Sequence, residues 1–225
     1  MVRESYQQQL DELLERVSEI GHDVREGLDM GLTAITTHDH DLGQSLDDWD
    51  DAIDDRTLEV EQQCTNLLAL QQPVAIDLRQ ILSAFKIVTD LERVADLAVN
   101  LGEYALETEA FVLVSQDALK GLGDVADGML NDALEAFRHK DTTKALEVIK
   151  RDREMDQRCW DLRSTLLTEI IRTANERTSS EQAQEIADDI ITVLWSIRDL
   201  ERVADHAVNI CARTIYWLEA DSTYI

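Results

Sequence analysis

One proline and eight glycines in 225 residues leave little material for the turns of a β-sandwich, a barrel or a loop-rich fold. Three cysteines, Cys64, Cys159 and Cys211, are odd in number, far apart and never arranged as CxxC. That pattern excludes a disulfide framework and a zinc knuckle, and it suits reduced thiols in a cytoplasmic protein. Long apolar runs are missing too. The longest uncharged stretch, residues 62–76, contains Gln, Thr, Asn and Pro, so no integral membrane segment is expected. The opening MVRESYQQQLDELLERV is amphipathic and acidic and has no apolar signal-peptide centre. Basic residues are scarce: 21 Lys and Arg stand against 47 Asp and Glu, a formal net charge of −26. Such a chain is repelled by DNA, RNA and anionic lipid, so binding to nucleic acid through its phosphate backbone is excluded.

Abundant Asp with few Lys points to a salt-rich, halophilic cytoplasm, where screening makes the charge tolerable. Self-repulsion reaches about 30 Å in 0.01 M salt but only about 3 Å in 1 M. The melting temperature is therefore expected to rise with potassium chloride. Thermal unfolding in low and in molar salt checks this, and an unchanged midpoint removes the saline reading.

The apolar residues that are present, 44% of the chain, recur at helical spacing almost throughout. Leu10, Leu13, Leu14, Val17, Val24, Leu28, Leu32 and Ile35 form one stripe. Leu42, Leu46, Trp49, Ile53, Val60, Cys64 and Leu67 form a second. Pro73 interrupts the pattern and suits the first turn of a third helix carrying Leu78, Leu82, Phe85, Leu91, Val94, Ala98 and Leu101. A fourth carries Leu119, Leu122, Ala126, Met129, Ala133 and Phe137. Asp141 reads as the N-cap of a fifth with Ala145, Val148, Met155, Cys159, Leu162 and Leu166. Thr178-Ser179-Ser180-Glu181 reads as a cap opening a sixth that runs to about Leu218. Strand-like alternation is absent, so the expected class is all-α.

The chain also repeats itself. DLERVADLAVN, Asp90 to Asn100, returns as DLERVADHAVN, Asp199 to Asn209, with ten of eleven positions identical at an offset of 109. The preceding helix repeats at an offset of 102: Asp39 matches Asp141, Asp50 matches Asp152, Ile53 matches Met155 and Asp54 matches Asp156. The second half is thus longer by about two helical turns between its second and third helices. The expected architecture is two pseudo-symmetric three-helix bundles, residues 1–112 and 113–225, with the boundary near 109–116.

Within the repeats, acids recur four residues apart: Asp50 and Asp54, Glu92 and Asp96, Asp152 and Asp156, Glu201 and Asp205. With Leu91 at 0°, Glu92 falls at about 100° and Asp96 at about 140°, on one border of the apolar arc. With Ile53 at 0°, Asp50 and Asp54 fall near 60° and 100°. Two packed helices would bring four carboxylates to one half-buried seam. That is costly unless protons or cations neutralise them. Oxygen-rich clusters suit Mg²⁺, Mn²⁺, Ca²⁺ or iron. The competing reading is ion pairing, with Arg93 and Arg202 neutralising the acids at the surface. Histidine adds little. Glu19 and His22 form the one ExxH, whereas a ferritin-type di-iron site needs two. His206, where the first repeat has Leu97, reads as a solvent-facing residue before it reads as a ligand, and His22, His38, His40 and His139 read as surface residues.

QQPVAIDLRQI, Gln71 to Ile81, followed by DLERVADLAVN and its second copy, resembles the signature of the PhoU family of phosphate-uptake regulators. The resemblance covers about residues 5–215; the second half lacks a clear copy of PVAIDLR. It implies a PhoU-like six-helix fold and multinuclear iron or zinc clusters on the E/D-x-x-x-D carboxylates. Asp50, Asp54, Glu92 and Asp96 would serve one site, and Asp152, Asp156, Glu201 and Asp205 the other. It further implies a cytoplasmic, non-enzymatic regulator that acts on the ATPase of the phosphate ABC transporter and with a phosphate-sensing histidine kinase, repressing uptake and starvation genes when phosphate is plentiful. A homodimer is expected from the resemblance and from apolar residues near helix ends such as Trp217. The alternative is a carboxylate-bridged metal-binding or metal-storage helical protein. No nucleophile–base constellation, Gly-rich phosphate loop or Walker motif points to hydrolysis.

Overall fold

Helical periodicity carries through to three dimensions. The computed structural model describes residues 2–71, 73–107, 115–173 and 180–225. It contains α1 (Val2–Thr37), α2 (His40–Gln71), α3 (Ala75–Glu107), α4 (Gln116–His139), α5 (Thr142–Thr173) and α6 (Ser180–Glu219), with no strand among the described residues. The expected boundary at 109–116 falls almost wholly outside those residues, as do Thr178 and Ser179 of the expected cap. Pro73 lies just ahead of α3 rather than in its first turn.

The repeat is visible in the corners. Each unit's first helix ends on a left-handed residue, His38 or Lys140, both at φ 56°. An Asp follows: Asp39 Oδ1 accepts from Leu42 N, and Asp141 Oδ1 from Lys144 N, each at 3.0 Å. These caps satisfy a backbone N–H that the first turn leaves orphaned. They start α2 and α5 in the same register, and both helices are 32 residues long. The seven extra residues of the second half lie beyond that point. The helix α6 has 40 residues against 33 in α3.

Within the first unit α3 packs on α1 and α2, and within the second α6 packs on α4 and α5. The units meet through α3 against α6 and α1 against α4, so the helices bearing the repeated motif lie at the centre of the molecule. The expected stripes are largely the core: Leu10, Val24, Ile53, Val60, Leu91, Ala98, Met129, Phe137, Met155 and Cys159 are all buried. Three expectations are corrected. Leu78 and Leu82 remain exposed because the side of α3 that packs on its neighbours there is the one bearing Gln80, Ile81, Ser83 and Ala84. Trp217 is buried, its ring 5.8 Å from that of Phe137 with Lys140 Nζ 5.3 Å above it, so it offers no dimer surface. His38 is half-buried at the α1–α2 corner rather than on the surface.

Close approach of α1 to α3 depends on Gly31. A Cβ there would stand 2.5 Å from the carbonyl oxygen of Ala98, a backbone atom that cannot swing aside. Gly31→Ala is therefore expected to separate the helices and cost about 1–3 kcal/mol, read as an earlier urea midpoint. An unchanged midpoint would show that the contact yields freely.

Candidate functional site

The repeated motif has two faces with different jobs. One face joins the units by reciprocal hydrogen bonds between α3 and α6. Asn209 donates to Asp90 Oδ1 at 3.2 Å, and Asn100 donates to Asp199 Oδ2 at 3.2 Å. The first Asp of each copy thus receives the last Asn of the other. The two ends are completed differently. His206 Nδ1 lies 2.9 Å from Asp90 Oδ1, whereas the Tyr104 hydroxyl donates to Asp199 Oδ2 at 2.8 Å. His206 is accordingly an inter-unit contact with 16% of its side chain exposed, not a solvent-facing residue.

The other face carries the acids. On the α2–α3 seam, burial first and then the negative charges of Asp54, Asp96, Asp51 and Glu92 push the Asp50 carboxyl up to about 6. Glu92 is also raised, by burial first, against the lowering effect of Arg93, with Asp54, Asp96 and Glu61 adding to the rise. The α5–α6 seam repeats this. Asp152 is raised by burial, Asp156 and Glu201. Asp205 is raised by burial, Asp152, Glu201 and Asp156, and His206 opposes the rise. The structure therefore brings each expected foursome into mutual electrostatic contact: Asp50, Asp54, Glu92 and Asp96, and again Asp152, Asp156, Glu201 and Asp205.

As the side chains lie, no group of three or more His, Cys, Asp or Glu among the described residues converges tightly enough to hold a metal ion. Arginine competes for the same oxygens. Arg93 Nη1 reaches Asp96 at 2.9 Å, and its Nη2 lies 3.7 Å from Glu92. Arg202 does not play the matching part: it sits 3.7 Å from Asp199, and Arg163 of α5 takes Glu201 at 2.5 Å instead. The donor chemistry nonetheless fits a hard cation. Every acid of the foursomes is an oxygen donor, the charge is mutually repulsive, and Asp50 Oδ1 is buried with no hydrogen-bond partner. The fit is one of donor type and charge rather than of finished coordination.

Two further residues reach the seams, Glu61 and Arg163. They hold equivalent positions, at the 102 offset of α2 and α5. The first seam thus gains a further acid where the second gains a cation, and the two are chemically unequal. The repeat alignment could have signalled this swap, but only the packing shows that both side chains face the acids. The other histidines stay apart: His22 pairs with Glu26 at 3.4 Å and is exposed, as are His40 and His139. The three thiols are buried and unpaired, and burial first of all raises each to about 12, so they are inert core residues.

The family model described as the PhoU domain matches twice, over residues 17–105 and 119–214. This chain belongs to the PhoU family. Among PhoU relatives, the phosphate-specific transport system accessory protein PhoU homolog of Pseudomonas putida is 30% identical over 96% of this chain and 81% of its own length. That of Clostridium acetobutylicum is 30% identical, covering 96% and 95%. The Escherichia coli K12 accessory protein PhoU is 27% identical, covering 94% and 84%. Two crystal structures share the fold. PhoU from Streptococcus pneumoniae superposes with a TM-score of 0.84 at 28% identity over 97% of this chain and 99% of that one. PhoU from Pseudomonas aeruginosa gives 0.83 at 26% identity over 96% and 100%. The PhoU match ends of each unit bracket the carboxylate seams and the α3–α6 contact described above. No helix among the described residues is long and apolar enough to cross a membrane.

Proposed function

We propose that this chain is a cytoplasmic, non-enzymatic accessory regulator of phosphate uptake that acts on the ATPase of the phosphate ABC transporter and represses starvation signalling when phosphate is ample. A phosphate-sensing histidine kinase is the second partner in this reading. The named role of the PhoU relatives supports the transport assignment. The observation that carries the metal part is the α2–α3 seam, where four carboxylates press on one another and hold Asp50 up at about 6. A bound cation, with iron or zinc first and magnesium or manganese as alternatives, would supply the neutralising charge. Asp50, Asp54, Glu92 and Asp96 hold it at the first seam, and Asp152, Asp156, Glu201 and Asp205 at the second. Arg163 lowers the net charge of the second seam, so that site is the weaker one. The protein works as a homodimer, joined through the apolar row of Trp160, Leu167 and Ile171 on the outer side of α5, which are 67%, 54% and 69% exposed.

Host cells lacking the gene provide the test. In ample phosphate they are expected to take up labelled phosphate faster and to express starvation genes. The parent gene restores repression, and one carrying Glu92→Gln with Asp96→Asn does not. Unchanged uptake and transcription in the deletion strain would overturn the regulatory reading. Sedimentation at tens of micromolar in high salt checks the dimer, which a monomeric mass would exclude.

A further inference from the structure

We propose that a groove sharing no residue with either seam, between the first half of α3 and the end of α6, binds a small apolar anion: a phosphate or carboxylate head on an alkyl or aryl body. The groove encloses about 390 Å³, within the usual range for small-molecule sites. Leu82, Phe85, Tyr216 and Ile225 form its apolar wall, and Lys86 and Arg213 stand beside them. Leu82 is 42% and Ile225 54% exposed, so apolar surface faces solvent in a groove that two cations also line.

The two cations are what sets this groove apart. Many of the chain's other arginines are claimed by acids, among them Arg16 by Glu59, Arg25 by Asp127, Arg151 by Asp132 and Arg163 by Glu201. Among the described residues no acid pairs with Arg213 or Lys86, and Arg213 Nε is buried without a hydrogen-bond partner. The acid nearest in sequence to this end of α6, beyond Glu219, is Asp221, and its Oδ1 is taken by the backbone N and hydroxyl of Thr223 at 2.9 and 2.6 Å. Ser83 Oγ donates to the Arg213 carbonyl at 3.0 Å, fixing α3 against α6 at this level. A guanidinium with no acid partner beside an apolar wall is complemented by an anion that brings its own apolar body. Inorganic phosphate alone gains nothing from Leu82, Phe85 or Ile225, while the net charge of −26 repels it.

Titration calorimetry on the full chain tests the site with hexyl phosphate, hexanoate, hexan-1-ol and inorganic phosphate. Hexyl phosphate or hexanoate is expected to bind once per chain, about tenfold or more tighter than hexanol or inorganic phosphate, and the stronger of the two identifies the head group. Lys86→Gln is expected to weaken that ligand about tenfold while leaving the helical signal and melting temperature in place, because Lys86 is exposed. Arg213→Gln weakens it at least as much, and Leu82→Gln weakens it without affecting inorganic phosphate. Hexanol binding as tightly as both anions, or an anion affinity indifferent to Lys86→Gln, overturns the proposal, as does no binding at all. The outcome is independent of metal at the seams.

Discussion

Glu92→Gln combined with Asp96→Asn is expected to abolish metal binding at the α2–α3 seam while leaving the α5–α6 seam loaded. Glu201→Gln with Asp205→Asn does the converse. The amides nearly keep the shape of the acids but lose the negative charge that a hard cation requires. The helices persist because Leu91, Val94, Ala95 and Ala98, the buried side of α3, are untouched. The inequality of the seams adds a second expectation. The second seam loses its ion at lower chelator concentration, since Arg163 already holds Glu201, and Arg163→Glu restores the charge pattern that Glu61 gives the first. The metal-free protein has its own signature. The folded Asp50 carboxyl is held above its unfolded value, so the native state binds that proton more tightly. Its contribution favours folding below the ordinary carboxylate range and is lost as pH rises toward about 6. In chelator, then, Asp50→Asn removes a destabilisation that grows across that window. Elemental analysis and melting curves with and without chelator measure all of this. If the parent remains metal-free after incubation with iron, zinc, manganese or magnesium, and chelator moves no melting temperature, the seams are ion-paired surfaces. The same double substitution would then cost about 1 kcal/mol or less, from orphaning Arg93.

Asp199→Ala is expected to be the most destabilising single change at the contact between units. Its carboxylate is 1% exposed in the core of the α3–α6 contact and accepts from both Tyr104 and Asn100. Truncation leaves those two donors without their acceptor, a cost of about 2–4 kcal/mol. Tyr104→Phe removes one hydrogen bond to a charged group and is expected to cost about 1.5–3 kcal/mol. The two losses should not add, because they act on the same bond. Asp90→Ala, the equivalent change in the first copy, removes a side chain that is 15% exposed and partnered by His206 and Asn209, where water can replace the lost acceptor. It is expected to cost clearly less. Urea unfolding of these three variants and of the Asp199→Ala, Tyr104→Phe double variant decides the matter, and equal costs at Asp90 and Asp199 would show that burial does not set the difference.

Much of this molecule is legible in its sequence. Apolar spacing marked six helices because a helix must bury one stripe, and the offset of 102 carried Asp39 onto Asp141, which indeed cap α2 and α5. The eight acids stood out because they recur on the border of that stripe in both copies. What periodicity gives is the face of one helix. It does not give the partner helix, its rotation or the reach of a long side chain from across a seam. Packing alone therefore decided that Arg163 rather than Arg202 takes Glu201, and that Glu61 joins the first set of acids. Packing also turned His206 inward to Asp90 and closed Phe137 and Lys140 over Trp217. The repeated sequence determined two like units with like acids. The tertiary structure decided that the units are not equivalent, because the charge at a site is summed over every helix that meets there, and a single-helix pattern contains only its own share.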